Sequence, residues 1–97
     1  MSEWKDKVVL ITGAGSGMGK ALSELMAANG AMLVLTDINE DNLENVAESV
    51  ADQVILHDKL DVSDKAQWQA LMTRLEQSVG YLDVIVNNAG MSNLDFF

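Results

Sequence analysis

Four short apolar runs punctuate the chain, separated by segments whose apolar residues return every three or four positions. Val8 to Ile11 and Leu82 to Val86 suit strands apolar on both faces, Ala31 to Thr36 reads as another strand, and Val54 to Leu60 is a fourth candidate interrupted by His57, Asp58 and Lys59. Between them, Met18, Ala21, Leu22, Leu25 and Met26 predict a first helix that stops at Gly30. Leu43, Val46, Ala47 and Val50 predict a second, opening at Asn39 with Glu40, Asp41 and Glu44 in its first turns, where the helix dipole favours negative charge. Trp68, Leu71, Met72, Leu75 and Val79 predict a third, capped by Ser63 and ended by Gly80, with Trp68 and the methionines on core-facing stripes. Trp4, in the polar leader before the first strand, lacks a periodic context and reads as surface packing. The resulting order, βαβαβαβ, predicts an α/β domain built on a parallel sheet with right-handed crossovers.

The first strand empties into Thr12-Gly13-Ala14-Gly15-Ser16-Gly17-Met18-Gly19. A strand, a glycine turn and a helix in that order are what a phosphate site requires. Glycines let backbone approach a pyrophosphate, and the positive end of the new helix faces its charge. Such a cluster also serves simply to turn a chain. The phosphate reading gains from Asp37, which closes the second apolar run about twenty residues on, the interval of a ribose-binding acid. Starting at Gly13, the G-x-G-x-x-G form fails, because its third glycine would fall on Met18.

Composition narrows the possibilities further. At 97 residues the chain is one small domain, below the usual length of a complete dinucleotide enzyme, with 48% apolar and 22% charged residues. It has no cysteine, so disulfides and thiolate metal sites are excluded. A net charge of −9 repels phosphate backbones and argues against a nucleic-acid partner. No run reaches membrane-spanning length and Met1 to Lys7 is too polar for a signal peptide, so a cytoplasmic protein without membrane contact is expected. His57, the single histidine, has no partner pattern for catalysis and reads as a strand-end residue.

Thr12-Gly13-x-x-x-Gly17-x-Gly19, together with Asn87-Asn88-Ala89-Gly90 after the fourth strand, resembles the paired motifs of the short-chain dehydrogenase/reductase family. The resemblance runs from Lys7 to Gly90. It implies a Rossmann-like doubly wound sheet of strand order 3-2-1-4, truncated after the fourth strand. It also implies an NAD-dependent oxidoreductase that moves hydride between nicotinamide and a carbonyl or alcohol. By the same resemblance, Gly13, Ser16, Gly17, Met18 and Gly19 hold the pyrophosphate and Asp37 the adenosine ribose. Asp61 and Val62 contact the adenine, while Asn87, Ala89 and Gly90 line the cofactor and steady the sheet. Asp61 has a second reading as a turn cap, and Asn88 one as a donor to backbone.

Asp37 implies NAD over NADP, whose extra phosphate it would repel by about 4 kcal/mol per charge pair at ~4 Å and an effective dielectric of ~20. Neither Ser16 nor Ile38 supplies the Arg or Lys that NADP-preferring relatives often carry there. The family's Ser and Tyr-x-x-x-Lys are missing: Tyr81, the only tyrosine, is followed four residues later by Ile85. No catalytic residue is therefore assigned, and these residues alone are expected to be inactive. Two other readings stand beside this one, a non-catalytic nucleotide-binding or interaction module and an S-adenosylmethionine-dependent methyltransferase fragment. A bare outer edge on Leu82 to Val86 would favour self-association, and a longer parent protein is expected to be a homo-oligomer.

Overall fold

The computed structural model describes residues 3–89. Four strands, β1 (Val8–Ile11), β2 (Met32–Asp37), β3 (Val54–Lys59) and β4 (Val84–Val86), form one parallel sheet of order β3-β2-β1-β4. Three helices connect them: α1 (Gly17–Ala28), α2 (Glu40–Ser49) and α3 (Lys65–Ser78), with a single 3₁₀ turn at Ala51–Gln53 before β3. This is the expected Rossmann-like, doubly wound arrangement.

Strand alternation divides the core into two layers. Val9, Ile11, Leu33 and Leu35 face α1 and α2, where Leu43, Val46 and Ala47 meet them. Val8, Leu10 and Val34 face the other way, onto Leu71 and Leu75 of α3. Every residue of β1 is buried, so the continuous apolar run is explained by cover on both faces. At the start of β4 the Asp83 carboxylate accepts from the Val8 amide at 2.8 Å, and the Asp83 amide donates to the Val8 carbonyl at 2.9 Å. A side chain thus completes the ladder one residue before the strand begins.

Several details depart from expectation. The buried side of α1 is Gly19, Leu22, Ser23, Met26 and Ala27, one step round from the stripe read through Met18, Ala21 and Leu25. Met18 and Leu25 are 62% and 54% exposed. Ser23 goes inside because its hydroxyl donates to the Gly19 carbonyl at 2.7 Å, leaving no polar group unpaired. Met72 likewise lies on the solvent side of α3, whereas Trp68 packs on the core and donates its indole N–H to the Val62 carbonyl at 2.8 Å. Trp4 packs against the α1/α2 layer and is more than a surface residue.

The cap of α3 is Asp64, not Ser63. Its Oδ1 accepts from the Gln67 amide at 3.2 Å, while the Gln67 side chain donates back to Oδ2 at 3.1 Å. Both ends of that pair are held, which a serine one residue earlier cannot reproduce. β4 is shorter than expected, since Leu82 lies before the strand and packs toward α3. β2 begins at Met32 instead of Ala31, and β3 ends at Lys59 instead of Leu60.

This cap assignment predicts that Asp64→Ala destabilises the chain by about 1 kcal/mol. Ser63→Ala should cost well under that, and Leu10→Ala about 2–5 kcal/mol because it opens a cavity between the two layers. Urea denaturation gives the ranking, and equal costs at positions 63 and 64 would contradict the assignment.

Candidate functional site

All four strands are parallel, so the loops leaving β1, β2 and β4 gather at one end of the sheet. There Gly13, Ser16, Gly17, Met18, Asp37, Ile38, Asn88 and Ala89 line an open cleft of about 460 Å³. Three chain segments far apart in sequence build this one surface.

The β1 loop is fixed from both neighbours. Thr12 donates its hydroxyl to the Asn87 side-chain oxygen at 3.0 Å and accepts from the Ala89 amide at 3.1 Å. Asn88 Nδ2 donates to the Gly13 carbonyl at 3.1 Å. On the other side, the Ala14 amide donates to the Thr36 carbonyl at 2.9 Å. The helix then starts so close to the loop that a Cβ on Gly19 would sit 1.9 Å from the Gly13 carbonyl oxygen. Backbone occupies that space, so no side chain fits there. Gly17 differs: its φ of 57° favours glycine, and a Cβ there would meet nothing within 4 Å. It borders free space in the cleft.

The helix start is electrostatically distinctive. α2 is capped by Asn39, which accepts from the Asn42 amide at 2.9 Å, and carries Glu40 and Asp41 in its first turn. α3 is capped by Asp64. At α1, Ser16 makes no side-chain cap hydrogen bond and the first turn contains no acid. Its first turn therefore carries neither a side-chain cap nor an acid of its own, and the carboxylate nearest to it in the cleft is Asp37, held on the Gly15 amide. An anion bordered by this turn would gain from both its amino-terminal amides and its positive dipole end.

Asp37 stands across the cleft at 9% exposure. Its Oδ2 accepts from the Gly15 amide and its Oδ1 from the Asn39 amide, each at 2.8 Å. A carboxylate offers about four lone-pair sites, so acceptor capacity remains for hydroxyl donors.

The other expected positions are placed less directly. Gly19 and Asn87 lie behind the cleft surface, one packing the helix and the other holding Thr12. Asp61 and Val62 follow β3 and do not line the cleft. Asp61 accepts from the Ser63 hydroxyl at 2.6 Å and the Ser63 amide at 2.9 Å, bonds that hold its carboxyl below the usual carboxylate range, the hydroxyl most strongly. That geometry is the turn-cap reading of Asp61. Gly90 lies outside the described residues. Ile38 and Asn88 were not predicted as lining residues, yet both border the cleft. Ile38 follows the acid directly and is 60% exposed, a signal present in the sequence only as an apolar residue beside a charged one. His57, read as a strand-end residue, is exposed within β3 and does not line this cleft. Among the described residues, no cluster of three or more His, Cys, Asp or Glu could hold a metal ion. No helix among them is long and apolar enough to cross a membrane.

Comparison with known proteins meets this geometry from the other direction. A levodione reductase of Leifsonia aquatica is 42% identical over 90-odd positions, 94 residues spanning 93% of this chain and 35% of that protein. An uncharacterized oxidoreductase of Staphylococcus aureus (strain N315) is 39% identical over 90 residues, 93% of this chain and 39% of its own length. The chain thus spans well under half of each relative. Among solved structures, a short chain dehydrogenase/reductase from Burkholderia phymatum in complex with NAD superposes with a TM-score of 0.79 at 38% identity. That match covers 88% of this chain and 31% of the other. The sequence model of the short chain dehydrogenases matches residues 7–97, from the leader through both motifs. The chain belongs to the short-chain dehydrogenase family.

Proposed function

We propose that this chain is the dinucleotide-binding portion of an NAD-dependent oxidoreductase that transfers hydride between nicotinamide and a carbonyl or alcohol carbon. The observation that carries this reading is the cleft at the carboxyl ends of the strands, where the uncapped start of α1 and the Asp37 carboxylate face the same space. The NAD complex of the Burkholderia phymatum relative supports it. Membership of the family removes the methyltransferase alternative.

The residues fit the group in three places. The amides around Gly13, Ser16, Gly17 and Met18 offer donors to a pyrophosphate, and the open space beside Gly17 admits it. With fifteen acidic against six basic side chains, this protein holds phosphate by backbone and dipole instead of by lysine or arginine. Asp37 accepts from the adenosine ribose hydroxyls, Ile38 offers apolar surface beside it, and Ala89 closes the β4 side. Gly19 and Asn87 act behind the surface by fixing the loop, and Gly90 is assigned to the same turn by its motif. Asp61 and Val62 are assigned to the adenine end. Bound nicotinamide would supply or accept the hydride, while the residues present bind and orient the dinucleotide.

NAD should bind more tightly than NADP, because the second ligand brings a phosphate dianion against Asp37. Asp37→Ala should narrow that gap. Calorimetric titration of both dinucleotides measures it, and equal affinity of the unmodified chain for the two would refute the preference.

No proton donor of the Tyr-x-x-x-Lys kind occurs in these 97 residues, and Tyr81 is exposed before β4. We assign that donor to a longer parent protein and expect the chain alone to show no turnover. The check is NADH formation from a simple secondary alcohol by purified chain. A measurable rate that Gly19→Val abolishes would contradict this assignment.

A further inference from the structure

We propose that Asp37 is a positioning residue for the glycine loop as well as a ribose acceptor, and that Gly15 and Asp37 form a matched pair linking the two halves of the cleft. The ribose arm of this inference rests on the dinucleotide reading; the loop arm rests on the chain's own geometry. In the motif Thr12-Gly13-x-x-x-Gly17-x-Gly19, position 15 is unconstrained. Here it is buried, and its amide donates to Asp37 Oδ2 at 2.8 Å in a bond spanning 22 residues. A Cβ on Gly15 would lie 2.8 Å from that same oxygen and 2.8 Å from Asn42 Cβ. The carboxylate and α2 therefore close against the loop at a point where any side chain would push them away.

The second oxygen is also engaged. Asp37 Oδ1 accepts from the Asn39 amide at 2.8 Å, two residues on, where Asn39 caps α2. One carboxylate thus spans the glycine loop and the entry to α2, with its rotamer set before any ligand arrives. A charged acceptor strengthens both bonds, and burial reduces competition from water. The neighbouring Ala14 amide, bonded to the Thr36 carbonyl at 2.9 Å, holds the loop to the backbone of β2 whatever the residue at 37. Asp37 adds the next tie, nearer to the amides that face the cleft. Replacing it to alter cofactor preference removes a ribose contact and loosens the pyrophosphate loop together.

Two measurements separate these roles. Amide hydrogen exchange, read by NMR on the ligand-free chain, should show the Gly15 amide exchanging at least about tenfold faster in Asp37→Ala, the equivalent of one charge-assisted hydrogen bond. Leu33 and Leu35 amides, in the paired centre of β2, report that the sheet is intact. Should Asp37→Ala fail to fold, Asp37→Asn keeps the shape but only one accepting oxygen, and either the Gly15 or the Asn39 amide should lose protection. Unchanged protection of Gly15 in intact Asp37→Ala, or of both the Gly15 and Asn39 amides in Asp37→Asn, overturns the proposal.

The second measurement compares NAD with its analogue lacking both adenosine ribose hydroxyls. If Asp37 acts only on the ribose, the analogue binds the unmodified chain and the variant equally, which overturns the proposal. A loop role predicts about tenfold weaker binding of the analogue by the variant. Equal binding of NAD and analogue by the unmodified chain would instead defeat the ribose reading, leaving the Gly15 exchange result to judge the loop tie independently.

Discussion

The close approach of Gly19 to the carbonyl of Gly13 is the constraint on which the cleft depends. With 1.9 Å between a hypothetical Cβ and that oxygen, α1 is seated directly on the loop it emerges from. The same carbonyl accepts from Asn88 at 3.1 Å, so helix, first loop and β4 turn meet at one peptide group. Thr12, one residue earlier, repeats the tie to Asn87 and Ala89. The result is a helix start aimed into the cleft and held there by three segments. A positive end worth roughly half an elementary charge is useful only if its position is fixed this well.

The burial of β1 and β2 was legible because both are apolar on both faces, and only a sheet covered on both sides asks for that pattern, whereas the strand order came with the family resemblance. The helices were harder to read in detail. Several adjacent stripes on α1 satisfy a helical period, and Ala21, Leu22, Leu25 and Met26 do not say which way the helix rolls. The roll is set by Gly19, whose missing side chain lets that face approach the loop, and Ser23 follows it inward because a helix carbonyl satisfies its hydroxyl. At α3 the reading of Ser63 as the cap rested on position alone. Gln67, three residues after Asp64, carried the deciding signal, because its backbone amide and its side chain both donate to the Asp64 carboxylate.

The site shows a related distinction between residues that touch the cleft and residues that build it. Motif residues such as Gly19 and Asn87 work from behind, and Asn88, read as a donor to backbone, both makes that bond and borders the cleft. Ile38 was read only for the positive charge it lacks, and its place on the cleft wall was not legible because an exposed apolar residue after an acid has no chemistry of its own to mark it. Asp61 is occupied by the Ser63 hydroxyl and amide, so its position after β3 was readable but its partner was not. Asp37 was found by interval, whereas its two backbone bonds follow from the fold of β2 into α2 and had no trace in sequence.

The central claim is that a dinucleotide lies across the carboxyl end of the sheet with its pyrophosphate against the start of α1. Mapping amide shifts as NAD is titrated into the chain tests this most directly. The largest changes should fall on Gly13, Ser16, Gly17, Met18, Ile38 and Ala89, while Lys5, Gly30 and Gln53 at a separate surface hollow stay still. Changes centred instead on that hollow, or on the one bordered by Glu44, Glu48 and His57, would contradict the account.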